Sequence, residues 1–317
     1  MTGFLGTLEK LAPVALICGM GVLFARRKII DATLSKAFSE FAFRLAIPAY
    51  LLGSFYRADL RQVFNPAAIA AYATTAVLGM TVVATVARTV TRCDARATAL
   101  RIMAACQVNT AYFAIPVFLL LFGDATPIFP VILLQVCVLT VVVIAIMEST
   151  GAPTDSEAAT PAGGVRRGLR AAVTTPIVVA CYAGIAANLG HLSVPGWATD
   201  TLSMTGAAAS PVALFALGLH LGGSGIRLRG TSSDEYWLIG MKCVLFPLLA
   251  FTIARCVFGL GAPWLGYLTV IAAMPAPQNL FIFAAQYDTD VDLAASVVIK
   301  TSVVALLLLP MWVAIAH

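Results

Sequence analysis

The sequence carries little charge for its length, since Asp, Glu, Lys and Arg make up 11% of its 317 residues, against about 25% in soluble globular domains. Apolar residues instead reach 60%, and the mean hydropathy is +0.93. This balance excludes an ordinary soluble domain and predicts an all-α integral membrane protein, whose partner over most of its length is the lipid bilayer.

Residues that hold metals or build catalytic centres are also scarce. The three histidines are scattered away from the seven cysteines, and no CxxC pair occurs, so we expect buried free thiols, no metal site and no cofactor. The chain has no HExxH motif, no P-loop and no pair of embedded aspartates, which argues against an enzyme such as an intramembrane protease and against an ATP-driven pump. Apart from Glu40, we place no carboxylate deep within an apolar stretch.

Apolar stretches are abundant. Roughly ten are long enough to cross a bilayer, which takes about 20 residues, and the first is read as a span because it lacks the flanks of a signal peptide. We predict spans at 8–25, 37–56, 67–87, 98–122, 127–147, 172–190, 201–222, 236–258, 263–287 and 292–315.

The basic residues fall mainly in alternate loops between these spans. The positive-inside rule then predicts that both termini lie outside, that the central linker is cytoplasmic, and that the protein is a multi-pass protein of the cell membrane. Because the basic residues are split among short loops, we expect no nucleic-acid partner. The loops placed in the cytoplasm hold Arg26, Arg27, Lys28, Arg88, Arg92, Arg96, Arg101, Arg166, Arg167, Arg170, Arg227 and Arg229, and the opposite side holds Lys10, Arg57, Arg61 and Arg255.

One polar linker, 148–171, divides the chain into halves with five spans each, 1–147 and 172–317. Pro13 and Pro176 lie 163 positions apart (176 − 13), and the same offset separates Pro48 from Pro211 and Arg92-Cys93 from Arg255-Cys256. The offset suggests a duplication, and an odd number of spans per half makes it an inverted repeat. Inverted repeats are typical of secondary transporters, which bind substrate where discontinuous helices meet near the midplane.

Two of the spans interrupt themselves about halfway. "ACQVNTAYFAIPVFLLLFG" places Asn109 and Pro116 in the fourth span, and "IAAMPAPQNLFIFAAQYD" places Pro275, Pro277 and Asn279 in the ninth. At 1.5 Å per residue, each break lies about 16–18 Å from the start of its span, near the midplane of a ~30 Å hydrocarbon core. Corresponding spans of the two halves therefore break at matching depth.

A break of this kind leaves backbone groups without helical partners. The amides of Gln107, Asn109, Gln278 and Asn279 can pair with that backbone or with a ligand. Half-helices that begin near Pro116 and near Asn279 direct positive dipole ends at the site, which favours a carboxylate. The alternative interpretation is a pair of ordinary proline kinks with amides that pack helices together.

Other polar residues within spans are weaker candidates. Lys242 has either a charge role in transport or a side chain that extends to the cytoplasmic surface. Lys300 has either a substrate role or an ion pair with Asp288, Asp290 or Asp292, and Arg44 is expected to pair with Glu40 four residues earlier. Tyr112 and Gln135 either line the pocket or make packing hydrogen bonds.

Six segments, in order over nearly the whole chain, resemble the auxin efflux carrier family, which includes plant carriers and bacterial malonate-type transporters. Three lie in the first half and three in the second. They are Leu11 to Asp31 (LAPVALICGMGVLFARRKIID), Leu45 to Phe55 (LAIPAYLLGSF), Asn109 to Gly123 (NTAYFAIPVFLLLFG), Ser210 to Leu221 (SPVALFALGLHL), Met241 to Ala250 (MKCVLFPLLA) and Ala272 to Asp290 (AAMPAPQNLFIFAAQYDTD).

The resemblance implies a ten-helix inverted-repeat fold with crossing, broken fourth and ninth helices. Spans 1, 2, 6 and 7 would form a scaffold that also makes a homodimer, and spans 3–5 and 8–10 a transport unit. The family's substrate is a small organic anion, and its contacts would fall at Asn109, at Pro116 and on the segment from Pro275 to Asn279, which includes Pro277 and Gln278.

We therefore predict a secondary transporter of a small mono- or dicarboxylate, malonate-like or auxin-like, working by elevator-like or rocking alternation. One alternative is a sodium- or proton-coupled symporter of the bile-acid type. Another is a non-transporting membrane receptor, against which the short loops argue. The sequence does not distinguish import from export.

Overall fold

The computed structural model describes residues 2–148, 174, 176–223 and 232–316, and the side chains of 12 onward with few exceptions. Within these ranges all regular secondary structure is helical, which confirms the all-α prediction. The predicted central linker, after Glu148, lies outside the described residues, as do Arg227, Arg229 and His317.

The α-helices are numbered here in chain order, and several are extended by π-helical turns. They are α1 Thr2–Arg26, α2 Ser35–Phe41, α3 Ile47–Arg57, α4 Leu60–Val63, α5 Pro66–Thr89, α6 Ala95–Cys106, α7 Ile115–Phe122, α8 Phe129–Leu134, α9 Thr140–Glu148, α10 Pro176–Leu189, α11 Gly196–Ala207, α12 Ala209–Gly223, α13 Ser233–Gly240, α14 Phe246–Thr252, α15 Trp264–Ala272, α16 Asn279–Gln286 and α17 Val291–Ala316. The π-helical turns are Ala42–Ala46, Thr110–Ala114, Gln135–Leu139, Met241–Leu245 and Ile253–Val257.

Five continuous helical segments of the described chain are long and apolar enough to cross a membrane: Pro66–Thr89, Thr126–Met147, Gly196–Gly223, Ser233–Val257 and Val291–Ala316. Shorter apolar helices cover Ala12–Arg26 and Pro176–Leu189. A continuous helix pairs most of its backbone groups internally, which is what a hydrocarbon environment demands. The helices are those of a multi-pass membrane protein.

Polar residues at the helix ends fix where several helices begin. The Asp94 side chain accepts a hydrogen bond from the Ala97 amide at 2.7 Å and caps α6. Ser232 caps α13 by accepting from the Glu235 amide at 3.2 Å. These side-chain caps satisfy amides that the first helical turn leaves without partners.

The chain forms two compact units. Unit 1 comprises the described residues within Met1–Asn65, Thr110–Pro130 and Val173–Ile226. In it α1 packs closely on α12, and a Cβ added at Gly218 would collide with the backbone of Cys18. Asn188 holds the end of α3, because its Nδ2 donates to the carbonyls of Phe55, Tyr56 and Ala58 at 2.8–3.1 Å. Hence a close helix contact and an amide cap stabilise this unit.

Unit 2 comprises the described residues within Pro66–Asn109, Val131–Ala172 and Arg227–His317. Its core includes the fully buried rings of Tyr72 and Phe246, which meet edge to face with centroids 6.2 Å apart. The indole Nε1 of Trp312 donates to the Cys243 carbonyl at 3.0 Å. Both helix interruptions predicted from the sequence involve this unit.

Candidate functional site

The first interruption follows α6, which ends at Cys106. Residues 107–109 are not helical, and a π-helical turn resumes at Thr110. The chain is therefore helical again six residues before Pro116, and α7 begins at Ile115, directly before this proline. The second half-helix was expected to begin near Pro116, and the non-helical break lies upstream of it at residues 107–109.

Gln135 pairs with the exposed peptide groups of this first break. Its Oε1 accepts from the Val108 amide at 2.8 Å, and its Nε2 donates to the Val108 carbonyl at 2.9 Å. Both residues are buried. A carboxamide is both donor and acceptor, so one side chain satisfies both groups of the peptide. Of the two roles left open by the sequence, the structure shows the packing hydrogen bonds.

The second interruption is longer. α15 ends at Ala272, the backbone through Pro275 and Pro277 is not helical, and α16 begins at Asn279. Two hydrogen bonds from elsewhere in unit 2 reach this segment. The backbone N–H of Asn109 donates to the Pro275 carbonyl at 2.9 Å, and the backbone N–H of Ala276 donates to Thr301 Oγ1 at 3.2 Å. The first of these bonds joins the two interruptions directly.

Lys242 lies at the end of α15. Its side chain is fully buried. Its Nζ donates at 3.3 Å to the carbonyl of Ala272, which is the last residue of that helix. The same Nζ lies 4.7 Å from the centre of the Phe246 ring. Cys106, the last residue of α6, is near enough to interact electrostatically with Lys242. The alternative in which this side chain extends to the membrane surface is therefore wrong.

The four side-chain amides predicted for the site differ in accessibility. Asn109 and Gln107 are buried, with 3% and 1% exposure, whereas Gln278 is half-buried and Asn279 is exposed. An exposed amide at the first position of α16 is available to a solute.

The remaining predicted substrate contacts are divided between the two units. The Pro277 carbonyl accepts from the Leu280 amide at 3.1 Å. Pro116 belongs to unit 1, where its carbonyl accepts from Ser210 Oγ at 3.1 Å. The Tyr112 side chain lies outside the described residues. Asn109, Gln135 and Pro275 are thus brought together within unit 2.

Lys300 makes an ion pair, but with a different carboxylate from those expected. Its Nζ lies 2.6 Å from Glu235 Oε2, and both side chains are buried. Glu235 precedes the predicted eighth span by one residue and was overlooked as a buried carboxylate. The helix begins two residues earlier, at Ser233, and this brings the carboxylate into the helix packing.

Arg101 has a structural role that its sequence context does not reveal. It was expected to be a loop anchor, yet it is buried and donates to Asp234 at 2.5 Å and to Asp290 at 2.7 Å. These bonds tie α6 to α13 and to the turn before α17. The carboxylates lie 133 and 189 positions away in the chain, so no local pattern points to them.

The expected pair between Glu40 and Arg44 does not form. Both residues are exposed, and they do not belong to the three ion pairs of the described chain. Arg44 sits in the π-helical turn Ala42–Ala46, which follows α2. The wider turn removes the stacking of residues four apart on which the prediction depended.

Comparisons with known proteins agree with this architecture. The model of a family described as "Membrane transport protein" matches residues 7–313. An "Uncharacterized transporter" of Methanothermobacter thermautotrophicus is 25% identical over 312 residues, 98% of each chain. A Rhizobium meliloti protein named "Putative malonate transporter" is 26% identical over 132 residues, 41% of this chain and 40% of its own. The chain therefore belongs to the membrane transport protein family, the auxin efflux carrier family that its sequence resembles.

Proposed function

We propose that this protein is a secondary transporter of a small organic anion, a mono- or dicarboxylate. The observation that carries the proposal is the hydrogen bond from the backbone N–H of Asn109 to the Pro275 carbonyl, which joins two interrupted helices within unit 2. Interrupted helices that meet inside a membrane protein are a recurring way to build a substrate site. Membership of a transporter family supports the same function.

The proposal assigns the substrate to the second interruption. Asn279 is exposed at the start of α16, an end at which a helix has unpaired amides and a positive dipole. Gln278, half-buried, precedes it. A carboxylate matches this donor-rich end. The printed name of the Rhizobium meliloti relative refers to malonate, which makes malonate the first substrate to test.

The proposed architecture is ten helices in two inverted repeats, 1–147 and 172–317, with broken fourth and ninth helices that cross. Spans 1, 2, 6 and 7 form a scaffold and a homodimer contact, and spans 3–5 and 8–10 form the transport unit. Substrate then crosses by alternation of the transport unit against the scaffold, with both termini outside. The 163-residue offset and the distribution of basic residues support this arrangement.

The test is uptake of labelled malonate into proteoliposomes by the Asn109→Ala and Asn279→Ala variants. For Asn279 we expect a loss of about 2- to 10-fold in substrate affinity, the effect of one neutral hydrogen bond, with thermal stability unchanged. Asn109→Ala keeps the backbone hydrogen bond to Pro275 and removes only the buried side chain at the junction, and we expect slower uptake together with lower stability.

Asn188→Ala is the matched control, because it removes the same side chain from the helix cap in unit 1. This control should lose thermal stability while its substrate affinity stays at the wild-type value. Normal uptake by both of the other variants would rule out the assignment of the site.

A further inference from the structure

One helix of unit 2 ends beside the Lys242 side chain. α15 ends at Ala272, whose carbonyl accepts from Nζ. The C-terminal end of a helix carries a partial negative charge, because its last carbonyls have no helical donors. Lys242 therefore lies at the negative end of α15.

The other neighbours of Lys242 also attract a cation. The Phe246 ring presents its face to Nζ at 4.7 Å, and an aromatic face is the negative part of the ring. Cys243 and Cys106 are polarizable thiols in its electrostatic surroundings. Among the described residues no carboxylate forms an ion pair with Lys242. The end of α15 and an aromatic ring thus contact this ammonium group.

In transporters with discontinuous helices, unwound carbonyls and half-helix C-terminal ends are the groups that coordinate a coupling cation such as sodium. The second break is rich in such carbonyls, because Pro275 and Pro277 have no amide hydrogen to pair with them. Here a lysine side chain already donates to the terminal carbonyl. A tethered ammonium and a bound sodium ion both place a positive charge next to carbonyls that have no helical donor.

We propose that Lys242 is a resident cation that takes the place of a coupling sodium ion at the second break. Resting on the function proposed above, the inference means that anion transport by this protein is independent of sodium. It also makes Lys242 a positioning residue, which holds the end of α15 in place next to the segment that leads to Asn279. This role explains why an ammonium group is buried without a carboxylate.

The first experiment uses the wild-type protein in proteoliposomes with labelled malonate. We expect uptake within about twofold of its original rate when sodium is replaced by choline on both sides. Uptake that requires sodium overturns the inference and leaves the transport function intact. Absence of uptake in both media contradicts malonate as the substrate, and the second experiment then decides about Lys242.

The second experiment measures thermal stability in detergent and needs no substrate. Lys242→Ala leaves a space beside the Ala272 carbonyl, and Lys242→Met fills that space without charge. A ligand stabilises a protein only when it has a vacant site in the native state. We expect sodium or methylammonium to raise the melting temperature of Lys242→Ala but not that of Lys242→Met or the wild type, each compared with choline.

Stabilisation of the wild type by sodium would overturn the inference, and so would the absence of any cation effect on Lys242→Ala. If Lys242→Ala does not fold, the wild-type response to sodium in both experiments still decides. In transport, Lys242→Ala should lose about tenfold in rate and recover with methylammonium. Recovery with a neutral solute of the same size would indicate a space-filling role only, against the proposal.

Discussion

The two helix interruptions of unit 2 receive hydrogen bonds of different chemistry. The first, residues 107–109, contains no proline, and Gln135 pairs with both the amide and the carbonyl of Val108. The second contains Pro275 and Pro277. Its Pro275 carbonyl accepts from the backbone N–H of Asn109, and the Ala272 carbonyl before it accepts from the Lys242 ammonium. The two breaks thus differ both in proline content and in the charge of the groups that donate to them.

A break without proline exposes donors and acceptors in equal number, so a neutral carboxamide can satisfy it. A break with two prolines has a surplus of acceptors, because each proline contributes a carbonyl and no amide hydrogen. Such a break needs extra donors, and a cation is the strongest donor available. At the second break one charged donor is present, the Lys242 ammonium, which pairs with the Ala272 carbonyl.

The largest effect is expected at the first break. Gln135→Leu leaves the amide and the carbonyl of Val108 buried without partners, at about 1–3 kcal/mol each, or about 2–6 kcal/mol in total. We expect a clear fall in the melting temperature measured in detergent. If Gln135 binds substrate instead, transport will fall while the melting temperature stays constant.

The matched control is Gln107→Leu in the same break. Gln107 is also buried, but its Nε2 has no partner among the described residues and its Oε1 accepts one long bond of 3.4 Å from Thr140. Its loss should therefore cost much less. Equal destabilisation by the two leucine substitutions would contradict the role given to Gln135.

A smaller effect is expected at the second break. Thr301→Val removes the acceptor of the Ala276 amide and should cost about 1–3 kcal/mol in unfolding free energy, because that amide is left buried and unpaired. Chemical denaturation of the purified protein measures it. Thr75→Val is the control, since Thr75 is equally buried and also donates to the carbonyl four residues earlier, and its hydrogen bond lies within α5 and not at a break. Similar losses in both variants would mean that the bond to Ala276 contributes little.

The least perturbing test compares the accessibility of the two breaks. In a background with Cys93, Cys137 and Cys256 changed to serine, the Asn279→Cys variant should react readily with a water-soluble maleimide, and Asn109→Cys should react slowly. The reason is that Asn279 is exposed and Asn109 is 3% exposed. Mass spectrometry measures the extent of labelling over time. Comparable rates at both positions would remove the distinction between a covered and an open break.

Several features of the fold were predictable from the sequence. Long apolar runs predicted an all-helical membrane protein, and the proline-rich segment at Pro275 indicated the second interruption. The second half of the fourth span was expected to begin near Pro116, and α7 begins at Ile115, after a π-helical turn that the sequence did not indicate. The Glu40–Arg44 pair failed, since a π-helical turn changed the spacing on which the prediction relied.

The partners of the polar residues were not predictable. Lys242 and Ala272 are 30 positions apart, Val108 and Gln135 are 27, and Arg101 and Asp234 are 133. Sequence patterns report on neighbours within a few turns of one helix. Which distant helices lie against each other depends on packing of all of them at once.

The sequence by itself determined that this protein is helical, lies in a membrane and interrupts its ninth span, because hydropathy and the missing amide of proline are local properties. Only the tertiary structure decided that Gln135 pairs with Val108, that Lys300 pairs with Glu235, and that Lys242 lies at the end of α15. In a hydrocarbon environment each buried polar group must find a partner. Which partner it finds is settled by the packing of helices that are distant in the chain.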